Sequence, residues 1–371
     1  MDIRIKNHGS QNYFGRNFVL VALIALFLLC LMDIQQLSAF TGEIKIGSPV
    51  PFSGVYAEGA TLIRHAEEQA ATEWNDKGGV LGKKLVILRE DTQQQPAVGA
   101  RKTVKLIDSD NVTAVFGAQG SNIAAAQQAV ALQKKTLFLI HTAYSSSLTG
   151  ESCNRYTFRI GHNSQIEAAA FGKWIIKNVG KKVYFIASDY LWGTATTEDF
   201  LQAVKEAGGE PMGKTFFPLG AKDLSPYFAT IRQVKPEILF VTAAGNDARL
   251  ALTQIHQFGL DKEMKIVGPA TLLGAEILST VGDASEGVIS VTPWDAILDI
   301  PKSKKFVEGY KKVTNGTTPS VYAMHAYEAI DLYAQAVSKA GSTDTEAVIK
   351  ALRGFTYDGP QGVNVMRPED N

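Results

Sequence analysis

The sequence predicts an α/β protein made of two doubly wound lobes, each built on a parallel sheet. Short apolar strands alternate with amphipathic helices, the pattern of a parallel sheet covered by helices on both faces. Roughly nine such strands occur, more than one compact sheet of this kind usually holds, and 371 residues are enough for two domains. The alternation restarts after residues 160–165 (RIGHNS), so we expect the boundary between the lobes there.

Each predicted strand is a short apolar run that ends in a loop of small residues. The strands are predicted at 44–50, 84–91, 114–118, 136–141, 182–188, 213–219, 238–244, 265–269 and 287–293, and the clearest helices at 58–78, 194–207, 302–314, 321–339 and 344–353. Because the carboxyl ends of parallel strands meet at one edge of a sheet, we expect these loops to form a small-molecule site.

The first 39 residues are predicted to be a secretory signal peptide. Basic residues precede an apolar run at 18–32, and small residues lead to a cleavage position after Ala39. The run is shorter than the roughly 20 residues of a bilayer-spanning helix. We therefore expect export to the periplasm. Two alternatives are a retained N-terminal anchor helix and lipidation of Cys30, although the leucines before Cys30 are larger than such a site needs.

Composition and motifs argue against several function classes. Basic and acidic residues balance at 37 each, which gives no reason to expect a nucleic-acid partner. Histidine and cysteine spacing fits no metal site, there is no GxSxG, and the serines at 145–147 lack a partnered base. Residues 208–215 match a phosphate loop, but a helix precedes them and a strand follows, so we expect a turn. We predict no catalytic residue, no cofactor and no metal.

Two serines at neighbouring strand ends are candidate ligand contacts. Ser121 opens the helix after one strand, and Ser145 lies in the loop after the next. Each could simply cap a helix, but together they could donate to a carboxylate at the positive end of the helices. Tyr190 and Trp192 follow a strand of the second half and could cover a ligand, or lie half-buried at the surface.

Taken together, the motifs resemble the periplasmic substrate-binding proteins for branched-chain amino acids, the Leu/Ile/Val-binding type of ABC transporter component. The resemblance covers nearly all of the chain after the signal peptide. The motifs that carry it are IxIGxxxPxSG (44–54), NDKGGVLGKKL (75–85), EDTQQQPAVGA (90–100), FGAQGS (116–121), DYLWG (189–193), QFGL (257–260) and AYEAID (326–331).

The resemblance implies a type I periplasmic binding protein fold, in which two lobes joined by a three-strand hinge close over the ligand. The crossovers would lie near 160–165, 292–293 and 357–362. The N-terminal lobe would comprise 43–162 and 293–357, and the C-terminal lobe 163–292 and 358–371. Family members usually continue beyond this C-terminus with another strand that returns to the second lobe.

The resemblance also implies the ligand contacts. Ser121 and Ser145, with backbone groups around Ala143 and Tyr144, would hold the ligand carboxylate, and Trp192 would cover its side. The full set of expected positions is Tyr56, Glu58, Gly120, Ser121, Ala143, Tyr144, Ser145, Trp192, Asn246, Ala270 and Ser320.

One departure from the family pattern bears on the ligand. Amino-acid binders place an acid just after a Gly-Pro in the second lobe, where it pairs with the ligand ammonium, but residues 268–271 read Gly-Pro-Ala-Thr. An unpaired buried ammonium costs several kcal/mol. Either Glu58, Asp247 or Asp295 supplies the charge, or the ligand carries no ammonium. We favour an organic or aromatic acid, for which the small Ala244 leaves room.

The sequence thus predicts the solute-binding component of an ABC importer, which delivers a small carboxylated solute to an inner-membrane permease. We expect it to act as a monomer and to bind no nucleic acid. The alternatives are a binding protein for an amino acid or an amide, and a ligand-sensing module with the same fold.

Overall fold

The first part of the chain builds one five-stranded parallel sheet. The structure is a computed structural model, and it describes residues 40–369. The strands are β1 (Glu43–Val50), β2 (Lys84–Asp91), β3 (Ala114–Gly117), β4 (Leu137–Ile140) and β5 (Thr157–Arg159), in the order β2-β1-β3-β4-β5. The helices between them are α1 (Ala57–Asn75), α2 (Pro96–Asp108) and α3 (Ser121–Lys134). The chain winds outward from the centre in both directions, as in doubly wound folds.

The second sheet repeats this arrangement. Its strands are β6 (Lys182–Asp189), β7 (Glu210–Pro218), β8 (Ile238–Thr242), β9 (Lys265–Gly268) and β10 (Ile289–Ser290), all parallel, in the order β10-β9-β8-β6-β7. The helices of this half are α4 (Ser164–Asn178), α5 (Leu191–Glu206), α6 (Ser225–Val234), α7 (Asn246–Gln257), α8 (Leu260–Glu263) and α9 (Ala275–Val281). The central strands β6 and β8 are almost entirely apolar and buried, because helices cover both faces of the sheet.

The last part of the chain returns to the first sheet. It forms α10 (Pro301–Val313), α11 (Val321–Ala340), α12 (Thr345–Leu352) and an antiparallel hairpin of β11 (Thr356–Gly359) and β12 (Gly362–Val365). Tyr310 donates a hydrogen bond to the Leu62 carbonyl oxygen of α1 over 3.2 Å. Helix α11 packs along α1, and its apolar side chains join the core under the first sheet.

The predicted fold class is confirmed, and the differences in detail have local causes. Strand β5 was missed because it is three residues long, too short for a periodic signal. Strand β7 begins at Glu210, before the predicted 213, and the register of its pairing with β6 shifts once near that end. Residues 208–209 form a turn that leads from α5 into β7, and 210–215 already belong to β7, so the predicted order of helix, turn and strand is found.

The hairpin contacts α11. Tyr357 donates a hydrogen bond to Asp331 Oδ2 over 3.0 Å, and the Gln361 N–H donates to Glu328 Oε1 over 3.2 Å. Residues 357–362, where the third crossover was expected, span the turn of this hairpin. The lobe boundaries themselves stay a prediction. The predicted signal peptide lies outside the described residues, and no helix within 40–369 is long and apolar enough to cross a membrane.

Candidate functional site

Loops from both sheets meet around one small cavity. It is lined by residues from the loops at the carboxyl ends of five strands, β3, β4, β6, β8 and β9. The lining residues are Tyr56, Gln119, Gly120, Ser121, Thr142, Ala143, Tyr144, Tyr190, Trp192, Ala244, Thr271 and Tyr322. The cavity volume is about 10 Å³, room for roughly one water molecule, so the side chains of the two halves pack closely against each other.

Ser121 lies at this cavity because β3 ends in a sharp turn that starts α3. Gly120 precedes it with a φ of 99°, a left-handed conformation that glycine adopts without strain. Ser121 Oγ accepts a hydrogen bond from the Ser145 N–H over 3.1 Å, which joins the loops after β3 and β4. Ser145 Oγ instead lies 2.8 Å from Ser147 Oγ, and Ser145 is not among the lining residues. The geometry therefore brings only the Ser121 hydroxyl of the predicted pair to the cavity.

The loop at 143–145 is held by its carbonyl oxygens. Arg159 donates from Nη1 to the Ala143 oxygen over 2.6 Å and from Nη2 to the Ser145 oxygen over 2.8 Å. The Ser164 N–H donates to the Tyr144 oxygen between them over 2.8 Å. Within a trans peptide the carbonyl and the following N–H point in opposite directions. The Ser145 N–H accordingly points to Ser121, and the Tyr144 N–H points away from Arg159.

Aromatic side chains form the rest of the wall. Tyr144 and Tyr322 stack with ring centroids 6.1 Å apart, and Tyr190 lies between Tyr56 and Trp192 at 6.3 and 5.8 Å. Trp192 is 2% exposed and lies in the first turn of α5, so it is a buried residue of the cavity rather than a half-buried surface one. Trp192 Nε1, Tyr56 Oη and Gln119 Oε1 are buried and have no hydrogen-bond partner among the described residues. Such groups can bind the polar atoms of a solute.

A buried polar cluster stands behind Tyr144. The His162 ring stacks on the Tyr144 ring with centroids 4.3 Å apart, and Tyr144 Oη lies 3.2 Å from His325 Nδ1. Burial lowers the pKa of His325 well below its ordinary value, so this imidazole is neutral at pH 7. His162 Nε2 lies 3.3 Å from Glu167 Oε1 on α4. The cluster therefore connects the wall of the first sheet with a helix of the second half.

The three carboxylates considered as partners for a ligand ammonium are engaged elsewhere. Glu58 pairs with Arg249 of α7. Asp247 accepts hydrogen bonds from Ser188 Oγ and the Gly220 N–H. Asp295 accepts from the Ile297 N–H over 3.0 Å, within its own turn. None of these three side chains lines the cavity.

Two other buried acids lie near the cleft and were not found from the sequence. Glu167 Oε1 accepts a hydrogen bond from the Ala270 N–H over 3.0 Å, at the stretch where amino-acid binders carry their acid. Burial raises the pKa of Glu276 on α9 to about 7, and neither of its carboxyl oxygens has a hydrogen-bond partner among the described residues. The charges of both acids act on the phenols of Tyr144 and Tyr322, which line the cavity.

Four more of the expected ligand positions lie outside the cavity lining. Glu58 and Asn246 both contact Arg249, the first as an ion pair and the second through Asn246 Oδ1 at 2.9 Å from Nη1. The Glu58–Arg249 pair joins the first turn of α1 to α7 and so links the two halves, whereas the Asn246–Arg249 contact lies within α7. Ala270 and Ser320 line a neighbouring cavity of about 230 Å³ instead.

Several lining residues were not in the expected set. Gln119, Thr142 and Thr271 are each adjacent in sequence to an expected position, so the strand-end argument could have included them. Thr142 also fixes its loop by donating from Oγ1 to the Ala118 oxygen over 3.1 Å. Tyr322 lies in the first turn of α11, far along the chain, and no local pattern points to it.

Comparisons with known proteins agree on one family. The sequence profile of the family described as periplasmic binding protein matches residues 43–371. The chain is 28% identical over 344 residues to Leu/Ile/Val-binding protein homolog 4 of Brucella abortus (strain 2308). This alignment covers 88% of this chain and 81% of the relative.

Solved structures give the same result. A periplasmic binding protein from Burkholderia mallei has a TM-score of 0.83 at 26% identity, with 88% of this chain and 86% of that one covered. A solute-binding protein of an ABC transporter from Rhodopseudomonas palustris BisB5, in complex with 3,4-dihydroxybenzoic acid, has a TM-score of 0.81 at 27% identity, with 89% and 90% covered.

Proposed function

Because this chain belongs to the periplasmic binding protein family, we propose that it binds a small carboxylated solute between its two sheets. It is a solute-binding protein of the ABC-transporter type, and its relatives are binding proteins rather than enzymes. Proteins of this family bind small molecules and work with ABC permeases. The identity of the solute is the part that we infer.

The observation that carries the proposal is the junction of the loops after β3 and β4. The Ser121 hydroxyl and the Ser145 N–H meet at 3.1 Å at the N-terminus of α3, beside the Tyr144 peptide. Hydroxyl and N–H donors at the positive end of a helix are suited to an anion. A carboxylate that displaces the Ser145–Ser121 bond would gain both donors, while its apolar body packs on the aromatic wall.

Three features support an organic or aromatic acid as the solute. The residue after Gly268-Pro269 is Ala270, and the three acids proposed to replace its charge have other partners. The wall of tyrosines and Trp192 suits a ring. The similar protein from Rhodopseudomonas palustris was solved with 3,4-dihydroxybenzoic acid, a carboxylated ring.

An amino acid is the second candidate, and the buried acids favour it. Glu167 reaches the Ala270 N–H, and Glu276 is buried with both carboxyl oxygens unbonded among the described residues. Either acid could pair with an ammonium after a small side-chain movement. The Brucella relative is named a Leu/Ile/Val-binding protein homolog, after proteins for amino acids.

We further propose the context in which the solute is bound. Residues 1–39 would export the chain to the periplasm, the compartment that the family name of its relatives implies. The lobes 43–162 with 293–357 and 163–292 with 358–371 would hinge on the solute, and the closed monomer would be recognised by an inner-membrane permease.

A thermal-shift screen of the purified protein tests the proposal. The panel comprises benzoate, 3,4-dihydroxybenzoate, 4-methylpentanoate, leucine and the uncharged benzamide. A bound acid at about 100 times its Kd stabilises the folded state by about 2.7 kcal/mol, which raises the Tm by several degrees. We expect benzoate, 3,4-dihydroxybenzoate and 4-methylpentanoate to raise the Tm more than benzamide does. A Tm raised by leucine alone would favour the second candidate, and no rise with any acid would refute the carboxylate proposal.

A further inference from the structure

Arg159, at the end of β5, is a partly buried cation whose hydrogen-bond partners are all uncharged. Its three donors reach the Ala143 oxygen, the Ser145 oxygen and Thr149 Oγ1. No carboxylate of the described residues lies within ion-pair distance of it, whereas Arg89, Arg155, Arg232 and Arg249 each pair with a glutamate. Burial lowers the pKa of Arg159 to about 10, so it still carries its charge at pH 7. A cation removed from water without a counter-ion is costly and calls for a role.

Arg159 lies directly behind the wall that faces the cavity. Its guanidinium binds the two carbonyl oxygens that bracket Tyr144, over 2.6 and 2.8 Å. From Ser145 the chain of contacts continues through its N–H to Ser121 Oγ over 3.1 Å. With ordinary backbone dimensions, the guanidinium is at most about 10 Å from the Ser121 hydroxyl. Unit charges at this distance interact appreciably inside a protein, where water screens them less than in solution.

The orientation of the peptides adds to this effect. Arg159 fixes the Ala143 carbonyl on its own side, so the N–H of the same peptide, that of Tyr144, is directed the opposite way. The peptide dipole then has its positive end away from Arg159. The charge of Arg159 and the dipole of this peptide both favour an anion at the Ser121 end of the loop. No acid of the described residues forms an ion pair with the Arg159 guanidinium.

We propose that Arg159 determines specificity for anionic solutes. Its positive charge attracts a bound carboxylate from the other side of the Ala143–Ser145 backbone. It acts through the Ala143–Ser145 loop, so it is a positioning residue that also supplies charge. This inference rests on the proposed function for the identity of the solute, but the potential at Ser121 exists without any solute.

The first test measures that potential directly, with an introduced thiol. Ser121→Cys is placed in a background with Cys30→Ser and Cys153→Ser, and the thiolate is titrated by its ultraviolet absorbance against the same background without Ser121→Cys. Adding Arg159→Gln should raise the pKa of the thiol by about one unit, which is a tenfold loss of anion stabilisation. Arg159→Lys, which keeps the charge, should raise it less. The matched control is Arg155→Gln, an exposed arginine of the same segment, which should leave the pKa unchanged.

The second test separates charge from loop geometry by titrating benzoate and its uncharged isostere benzamide calorimetrically. Arg159→Gln should weaken benzoate binding by about tenfold and benzamide binding much less. Equal losses for both, or a thiol pKa that does not depend on Arg159, would reduce Arg159 to a structural clamp and overturn the inference. If the parent protein binds neither compound, benzoate is not its solute, whereas the thiol titration still decides the role of Arg159. The proposed function itself fails only if no acid of the thermal-shift panel binds. The Tm of each variant is measured, and Arg159→Met, which also removes the charge, serves if Arg159→Gln does not fold.

Discussion

Ser146 donates a hydrogen bond from Oγ to Asp199 Oδ2 over 2.8 Å, and this contact joins the residue after the 143–145 loop to the other half of the protein. Ser146 follows the 143–145 loop directly, and Asp199 lies on α5, the helix whose first turn carries Trp192. The same Asp199 oxygen accepts from Ser164 Oγ over 2.5 Å. One carboxylate therefore links the segment next to the 143–145 loop to α5 of the other half.

Asp199→Asn should weaken solute binding because an amide is a poorer acceptor for two hydroxyls than a carboxylate. We expect a loss of roughly threefold to tenfold in benzoate affinity, mainly through faster dissociation, measured by stopped-flow fluorescence. The Tm of the protein without solute should change little. Glu198→Gln, the neighbouring exposed acid on α5, is the control. Equal affinities for the Asp199→Asn variant and the parent would show that this link has no part in binding.

Ser121→Ala should weaken carboxylate binding far more than Ser145→Ala. The Ser121 hydroxyl lines the cavity, whereas the Ser145 hydroxyl bonds Ser147. Loss of one hydrogen bond to a charged group predicts a decrease of about tenfold to a hundredfold for Ser121→Ala. The double variant should bind no better than Ser121→Ala, with the Tm of the unliganded protein within a few degrees of the parent. Calorimetry checks this, and equal effects of the two single changes would contradict the geometry.

Trp192→Ala should weaken binding of ring-bearing acids most. Trp192 is buried at the cavity, and stacking on an aromatic solute adds to the burial of apolar area. The expected loss is roughly threefold to tenfold greater for benzoate than for cyclohexanecarboxylate, a non-aromatic acid of similar size. Trp174→Ala, at an exposed position of α4, is the control. Losses of the same size for both acids would exclude stacking.

Glu328→Gln should flatten the pH dependence of stability. Burial raises the pKa of Glu328 from an ordinary 4.5 to about 8, so the folded protein holds this proton more tightly than the unfolded chain. Stability is therefore greatest at low pH for this group, and it falls as the pH rises from about 4.5 through 8, by at most about 1.4 kcal/mol per pH unit.

Urea unfolding at pH 5 and pH 8 measures this difference. The parent should lose more stability between the two values than the Glu328→Gln variant, while Glu346→Gln, at an exposed position of α12, should behave like the parent. Parallel losses in the parent and the Glu328→Gln variant would show that Glu328 is ionised at both values.

Local sequence patterns predicted Ser121 and Trp192, which come within a few residues of a strand end and line the cavity. Gly120, Ala143 and Tyr144, which also line it, were expected from the family resemblance. The fold class followed from the same alternation of strands and helices. Both depend on short-range order, which one sequence records well.

The remainder depends on contacts between distant segments. Tyr322 and His325 reach the site because α11 returns to the first sheet, and Asp199 reaches it because two helices of different halves meet. Glu58 was expected at the ligand, but it pairs with Arg249, a partner 191 residues away. Arg159 had no recognisable motif, since its partners are backbone oxygens that any sequence would provide.

The most direct test of the central claim, that the solute is recognised by its carboxylate and needs no ammonium, is a calorimetric comparison of leucine with 4-methylpentanoate. The two acids share the same branched chain and differ in the α-ammonium. We predict that 4-methylpentanoate binds at least as tightly as leucine, because a buried ammonium without a partner acid costs several kcal/mol, about a hundredfold or more in Kd. Tight binding of leucine with binding of 4-methylpentanoate about a hundredfold weaker would contradict the account and assign Glu167 or Glu276 to the ammonium.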